Sequence, residues 1–237
     1  MRLAVLHFTP ELGAVERNRA RLLAALEAAA DADLLVLPEL ATTGFAMTPA
    51  QAQAWVEPLE GETTSALRRW AAETKTVVAC GLALREGEQL FNAQVLIEST
   101  GEIRHVYRKR HLWGHDRGWA TPGEEPGALT ETSLGGVAQL ICADIGHLET
   151  VLALAQRRPR FVAFSTAWVG EGEPFPTSWQ VALRLFDPAP ILIANRGGEE
   201  EGIEFADPSA ILAYRGGGVV GARGVEPQLL WWIEPER

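Results

Sequence analysis

The 237-residue chain is 47% hydrophobic, enough to bury one sizeable core, and its formal net charge is −10. Nucleic acids and anionic membranes bind clustered Lys and Arg, so this charge argues against both as partners. The apolar N-terminal stretch, residues 1–8, is too short for a signal segment or a membrane span, and two cysteines are too few for a disulfide framework. We therefore expect one domain over residues 1–237, in the cytosol, with a small-molecule substrate.

Short apolar runs alternate with amphipathic segments along the chain. Strands are predicted at residues 3–8, 34–37, 77–85, 90–99, 101–111, 137–141, 161–167, 190–195, 210–214 and 229–233. Helices are predicted at residues 15–30, 63–74, 148–158 and 177–186. The alternation predicts sheets covered by helices, and the closely spaced strands between residues 77 and 99 add antiparallel pairing. The expected fold is a mixed α/β architecture with two sheets.

One of the two cysteines stands at a chemically favourable position. Cys142 follows the predicted strand 137–141 and precedes the predicted helix 148–158, so it lies in a strand-to-helix turn. We expect its thiol to be exposed, and the free N–H groups and dipole of the helix to favour the thiolate. Cys80 lies inside a predicted strand and is expected in the core.

A cysteine that hydrolyses an acyl bond needs a base for its proton and a positive group for the developing oxyanion. Glu39 stands at the tip of the buried strand 34–37 and could be the base. Lys109, in the basic run 107–111, could polarise the carbonyl together with the backbone N–H of Ala143. The alternative for this basic run is a solvated strand edge.

These residues lie in three segments that together resemble the nitrilase-like carbon–nitrogen hydrolase family. The segment LVLPE at 35–39, followed by TGF at 43–45, resembles the family's glutamate block. The segment YRKRHL at 107–112 resembles its lysine block, and LICAD at 140–144 resembles its cysteine block. The resemblance runs over nearly the whole chain. It implies a four-layer α-β-β-α sandwich with two mixed β-sheets, commonly dimerised through one helix layer.

The resemblance also implies a chemistry. A triad of Glu39, Lys109 and Cys142 would act on amides, nitriles or N-carbamoyl groups through a thioester, and we expect no metal and no cofactor. Neither cysteine has a neighbour at zinc-ligand spacing. Amide hydrolysis that releases ammonia and a carboxylic acid is the predicted reaction, with a nitrilase or N-carbamoyl amide hydrolase as the alternative on the same triad.

The loop beyond the lysine departs from the family pattern. Many members carry a second glutamate there, whereas this chain has His115, Asp116 and Arg117. Asp116 could take that place with a shorter reach, or Glu124 or Glu125 could enter from the same loop.

The specificity residues are predicted from loops that could line a pocket. Arg117 or Arg196 could hold a substrate carboxylate, which favours a small linear amide, including one that carries a carboxylate. Four tryptophans lie in or near such loops: Trp113, Trp119, Trp168 and Trp179.

Two competing hypotheses remain. One is a papain-like pair in which His147 or His111 acts as the base for Cys142. The other is a non-catalytic member of the fold that binds a small metabolite or senses oxidation through Cys142.

Overall fold

The computed structural model describes residues 1–169, 177–205, 208–213 and 219–234. Its α-helices are α1 (Val15–Leu26), α2 (Pro49–Trp55), α3 (Glu62–Thr74), α4 (Asp116–Trp119), α5 (Leu148–Ala155) and α6 (Thr177–Arg184). Short 3₁₀ segments cover Glu27–Ala29 and Cys142–Gly146. None of the helices in these ranges has the length and apolar character needed to cross a membrane.

The strands follow the predicted order, with additional short members. They are β1 (Arg2–His7), β2 (Leu34–Val36), β3 (Glu57–Pro58), β4 (Val77–Glu86), β5 (Gln89–Ile97), β6 (Ile103–Arg108), β7 (Ala128–Thr132), β8 (Gly135–Ile141), β9 (Phe161–Ser165), β10 (Ile191–Ala194), β11 (Glu199–Glu200), β12 (Ile203–Glu204), β13 (Ser209–Leu212), β14 (Val219–Ala222) and β15 (Gln228–Ile233).

Two large mixed sheets contain most of these strands. The first has the order β15-β1-β2-β4-β5-β6, with β3 beside β4, and the second has the order β14-β13-β10-β9-β8-β7. Strands β1, β2 and β4 run parallel in the first sheet, as β8, β9 and β10 do in the second. The outer pairs β15–β1, β5–β6, β7–β8 and β13–β14 are antiparallel. The predicted combination of parallel and antiparallel pairing is confirmed.

Three apolar layers hold four layers of structure together. Helices α1 and α3 bury side chains such as Leu22 and Leu67 on the first sheet, and α5 and α6 bury Val151 and Leu183 on the second. Between the sheets, a separate core includes Phe161 and residues of β1, β2 and β10. This arrangement is the predicted α-β-β-α sandwich.

The differences from prediction lie at element ends and in short elements. The helix predicted at 148–158 ends at Ala155, and part of the strand predicted at 210–214 lies outside the described residues. Strand β7 was not predicted because its sequence, ALTET, is polar and half-exposed, and it is a strand through pairing with β8. Helix α2 was also missed, although Thr48 and Gln51 form a capping box with Pro49 at the first helical position.

The two sheets bring several strand ends to one place. Glu39 follows β2, Lys109 follows β6 and Cys142 follows β8. A hydrogen-bonded link joins the sheets beside them, because Ser165 Oγ at the end of β9 donates to Leu37 O at 2.7 Å. The fold therefore gathers residues that are up to 103 positions apart at one edge of the inter-sheet layer.

Candidate active site

A buried ammonium group lies between two carboxylates at this edge. Lys109 Nζ is 2.7 Å from Glu39 Oε1 and 2.5 Å from Asp116 Oδ2, and all three side chains have no solvent exposure. Asn92 Nδ2 donates to Glu39 Oε1 at 2.7 Å and lies 3.2 Å from both Asp116 carboxylate oxygens. Burial opposes the charged form of Lys109, but Glu39 and Asp116 outweigh it and hold its pKa well above the ordinary value. The lysine is therefore a fixed positive charge in an enclosed site.

The Glu39 carboxylate is held at both oxygens. Its Oε2 accepts a hydrogen bond at 2.7 Å from the N–H of Ala167, which lies two residues after β9 of the second sheet. Its Oε1 accepts hydrogen bonds from Lys109 and Asn92. The backbone fits tightly behind it, because a Cβ added at Gly81 would lie 2.5 Å from Glu39 Cα. Such contacts restrict the carboxylate to one position, as a positioned base requires.

Cys142 occupies a strained turn directly after β8. Its φ is 42°, in the left-handed region that a non-glycine residue rarely adopts, and such strain is concentrated at functional sites. The prediction of a turn between strand and helix is confirmed, but α5 begins six residues later, after a 3₁₀ segment.

The predictions of an exposed thiol and a stabilised thiolate are wrong. Cys142 is only 2% exposed. Burial, with a smaller contribution from the Glu39 carboxylate, raises the pKa of the Cys142 thiol to about 12, although Lys109, Thr166 and Ala167 lower it. The raised pKa favours a neutral Cys142 thiol in the neutral pH range. Cys80 is a buried free thiol in β4, as predicted.

Asp144, the last residue of the cysteine block, is a structural link and makes no side-chain cap hydrogen bond to α5. Its carboxylate accepts hydrogen bonds from Tyr107 Oη at 2.9 Å, His111 N at 3.0 Å and Ile141 N at 3.2 Å. Burial raises the pKa of Asp144 to about 6, although these hydrogen bonds and Lys109 oppose the rise. One carboxylate thus ties the turn of Cys142 to the chain on either side of Lys109. Its place two residues after Cys142 was a signal that an acceptor for backbone N–H groups is needed there.

The structure separates the candidate second acids. Asp116 is buried against Lys109, whereas Glu124 and Glu125 are exposed and Glu125 Oε2 lies 3.0 Å from His105 Nε2. Asp116 reaches the lysine because the short helix α4 begins there and its Trp119 is buried against the inner loops. The backbone position of Asp116 lets its side chain, which is shorter than that of glutamate, reach Lys109.

The predicted specificity residues differ in their burial and in their contacts. Ala143 is half-buried in the turn of Cys142, and Trp168 directly follows Ala167 with its ring 4.3 Å from the Trp179 ring. The indole Nε1 atoms of Trp119 and Trp168 are buried and have no hydrogen-bond partner in the part of the chain that the structure describes.

The two candidate arginines differ in their surroundings. Arg117 is exposed, and its Nε donates to Leu112 O at 3.1 Å. Arg196 is 1% exposed and its guanidinium contacts Glu200, Pro10 O and the Phe205 ring. Each of its three nitrogens already donates a hydrogen bond within the protein, which argues against the hypothesis that Arg196 holds a substrate carboxylate.

The two histidines of the papain-like hypothesis form a separate pair. The rings of His111 and His147 are stacked with centroids 3.4 Å apart and planes 6° from parallel. The side chains with the largest effects on the pKa of the Cys142 thiol are Glu39, Lys109 and Thr166. Neither histidine is among the groups with the largest effects on this pKa.

A cavity of about 950 Å³ lies away from this cluster. It is lined by Arg158, Phe186, Trp232 and neighbouring residues, and by none of the predicted site residues. Its size alone does not make it the reaction site, because the described residues around it do not include the combination of nucleophile, base and cation found at Cys142.

The sequence of this chain is similar to those of known proteins. A model of the family described as carbon-nitrogen hydrolase matches residues 2–230. An (R)-stereoselective amidase from Pseudomonas sp. is 30% identical over 219 residues, which cover 88% of this chain and 76% of that amidase. A 2-oxoglutaramate amidase from Bacillus subtilis (strain 168) is 27% identical over 195 residues, which cover 76% of this chain and 70% of that enzyme.

Solved structures show the same similarity. A cysteine-to-serine mutant of a Nesterenkonia AN1 amidase from the nitrilase superfamily has a TM-score of 0.84 and 28% identity, covering 99% of this chain and 92% of that chain. A glutamate-to-glutamine mutant of the amidase from Nesterenkonia sp. AN1 shows covalent addition of the acetamide moiety of fluoroacetamide at the active-site cysteine. It has a TM-score of 0.79 and 25% identity, covering 98% of this chain and 89% of that chain. The chain described here belongs to the carbon–nitrogen hydrolase family, and it is an amidase-like hydrolase.

The buried charge cluster predicts a large effect of removing one carboxylate. We expect Asp116→Asn to lower the free energy of unfolding by about 3 kcal/mol, because a fully buried ion pair loses one partner. The control is Asp31→Asn, which breaks an exposed pair with Arg2 and should cost less than about 1 kcal/mol. Urea unfolding of both variants measures the difference, and equal losses would contradict the importance of burial.

The Cys142 environment predicts a thiol that stays protonated over the neutral range. With the pKa raised to about 12, the thiolate is favoured only at pH values above the ordinary range for cysteine. Ultraviolet titration of thiolate absorbance should show no ionisation of Cys142 between pH 6 and 9, with Cys142→Ala as the reference. A step below pH 8 that is absent from the variant would show that the helix and Lys109 dominate instead.

Proposed function

We propose that this protein hydrolyses small linear amides, with Cys142 as nucleophile, Glu39 as general base and Lys109 as the cation that stabilises the oxyanion. The observation that carries the proposal is the enclosed contact of Lys109 with Glu39 beside the neutral Cys142 thiol. A neutral thiol can attack only if a base removes its proton, and the carboxylate that acts on it is fixed by hydrogen bonds at both oxygens.

The reaction proceeds in two halves. Cys142 Sγ attacks the amide carbonyl carbon, a C–S bond forms, and the thiol proton passes to Glu39. The oxyanion is stabilised by Lys109 Nζ and the Ala143 N–H until the C–N bond breaks, when Glu39 returns the proton to the leaving ammonia. Water, deprotonated by Glu39, then attacks the thioester, and the carboxylic acid leaves as the thiol is reprotonated. Nitrile or N-carbamoyl hydrolysis on the same triad is the alternative.

The relatives support this assignment of the nucleophile. An amidase with the same fold carries a covalent acetamide group on its active-site cysteine when a glutamate is replaced by glutamine. We infer that Cys142 forms the equivalent bond here, and that Glu39 is dispensable for adduct formation with a reactive reagent but required for amide turnover.

Substrate binding is proposed at Trp119, on the loop after Lys109, and at Trp168, which directly follows Ala167, the backbone donor to Glu39. Trp119 and Trp168 each have a buried indole N–H with no acceptor among the described residues, and buried donors are usually paired in native proteins. A substrate oxygen is a suitable acceptor. Asp116 would keep Lys109 in place, and Arg117, exposed on the same loop, would contact a substrate carboxylate if one is present.

The decisive experiment compares wild type, Cys142→Ala and Glu39→Gln on a panel of small amides. Ammonia release should fall by at least ~10³-fold in both variants, because each removes a group that acts in the transition state. Intact-protein mass spectrometry with fluoroacetamide should detect the adduct on Glu39→Gln and none on Cys142→Ala. Cys80→Ala is the matched control and should retain turnover, since Cys80 is a core thiol.

Turnover that survives in Cys142→Ala would exclude the thioester mechanism. Activity that survives Glu39→Gln but is lost in His147→Ala would favour the papain-like pair. If wild type releases ammonia from no amide or nitrile and forms no adduct, the metabolite-binding alternative becomes the better interpretation.

We propose that the whole of residues 1–237 forms one catalytic domain, because the proposed triad draws on both sheets and on the core between them. We also propose a cytosolic location, since Cys80 and Cys142 are both free thiols. The active form is proposed to be a homodimer associated through the layer of α5 and α6. This layer exposes large apolar side chains at helical spacing: Leu148, Leu152, Val181 and Leu185.

The dimer proposal predicts that one charge on this layer disrupts association. Val181 is 61% exposed, so Val181→Glu should not disturb the fold but should place a carboxylate in an apolar interface. Size-exclusion chromatography with light scattering should give a dimer for wild type and a monomer for the variant. Val225→Glu is the control, because Val225 is 56% exposed outside this layer. A monomeric wild type would contradict the proposal.

A further inference from the structure

A cluster of metal-binding groups lies on the surface beside the proposed active site. His111 follows Lys109 by two residues, and His147 and Glu149 follow Cys142 by five and seven residues. One ring nitrogen of each histidine and one carboxylate oxygen of Glu149 lie within 4.8 Å of one another. No other group of three such ligands was found among the described residues.

The stacking of the two rings brings their ligand atoms together. The ring centroids are 3.4 Å apart and the planes are almost parallel. Two ligands on a tetrahedral ion with bonds of ~2.1 Å are ~3.4 Å apart, so the three atoms need to close by at most roughly 1.4 Å. The rings also need to rotate out of their parallel arrangement, so that the in-plane lone pairs of both nitrogens point at one ion. His147 and Glu149 are exposed and can make this movement by side-chain rotation, and the same exposure admits an ion from solvent.

The type of ligand selects the class of ion. Two imidazole nitrogens and one carboxylate oxygen suit Zn²⁺ and its neighbours Co²⁺, Ni²⁺ and Cu²⁺, whereas Mg²⁺ and Ca²⁺ prefer oxygen ligands throughout. A second ring nitrogen that is hydrogen-bonded orients a metal-binding histidine. His111 has such a partner, because its Nε2 lies 3.1 Å from the buried Thr150 Oγ1. The proposed ligand atom of His111 is therefore Nδ1, which keeps its lone pair in the tautomer that donates to Thr150.

We propose that His111, His147 and Glu149 bind one Zn²⁺ ion or an ion of that class, with water completing its coordination. The ion would join the segment that follows Lys109 to the turn that contains Cys142. These two segments already share one anchor, since Asp144 accepts a hydrogen bond from His111 N at 3.0 Å and its carbonyl accepts one from His147 N at 3.1 Å. Metal binding would add a second link between these two segments.

This proposal goes beyond the proposed hydrolysis and does not depend on it, because its readout is binding rather than turnover. The experiment uses metal-free protein carrying Cys142→Ala, so that the thiol does not compete for the ion. Isothermal titration with ZnCl₂ should give one ion per chain. At ~100 times the Kd, the Tm should rise by about 5–10 °C.

The variants distinguish a built site from surface binding. In the same background, His147→Ala should abolish the saturable binding, and Glu149→Gln should weaken it about tenfold or more. His105→Ala is the matched control, because His105 also lies beside a carboxylate, Glu125, but has no second histidine, and it should leave binding unchanged. Absence of saturable binding, or full retention in both His147→Ala and Glu149→Gln, would overturn the proposal. Glu149 is exposed, so its variant tests the site even if His147→Ala fails to fold.

Discussion

The burial of the Lys109 ammonium is the constraint on which the rest of the site depends. Removing an ion of this size from water costs several kcal/mol even after relaxation, and the cost is offset only by close, well-oriented partners. Glu39 and Asp116 supply the opposite charges, and Asn92 donates to both carboxylates. Three separate segments must therefore meet at one point, or the protein would contain an uncompensated buried charge. The contacts that compensate the buried charge are also those that the proposed mechanism uses.

In the proposed mechanism, this environment also separates the resting state of the Cys142 nucleophile from its reactive state. The pKa of Cys142 is raised by burial and by Glu39, so the sulfur is a weak nucleophile until a substrate is present and a proton can move to the carboxylate. In the proposed mechanism, the same carboxylate raises the free-energy cost of spontaneous thiol ionisation and accepts the proton during attack. Such an arrangement limits adventitious oxidation, which proceeds through the thiolate.

The geometry around these groups is rigid because it is held by backbone as well as side chains. Leu40, which follows Glu39, and Cys142 itself both have positive φ values. Asp144 fixes the turn of Cys142 through two backbone N–H groups and the Tyr107 hydroxyl. Strain of this kind persists only when the surroundings over-determine it, which explains why so many buried hydrogen bonds converge here.

The sequence by itself determined the elements and the candidate triad. Buried strand patterns, helix periodicity and the placement of Glu39, Lys109 and Cys142 at the ends of predicted strands are local features, and the structure confirms the layers they imply. Strand β7 was not predictable, because its polar sequence becomes a strand only through pairing with β8. Local pattern also gave no indication of the His111–His147 stack, whose members are 36 positions apart.

Only the tertiary structure decided the direction of the Cys142 pKa shift and which acidic side chain pairs with Lys109 besides Glu39. A local argument assigns Cys142 the positive end of a helix, but the pKa of a thiol depends on how much water surrounds it and on charges from distant strands. The same holds for Asp116 against Glu124 or Glu125, which are close in sequence and differ in which side chain is carried inside by α4. Residue type and order are encoded locally, whereas burial and charge proximity come from long-range packing.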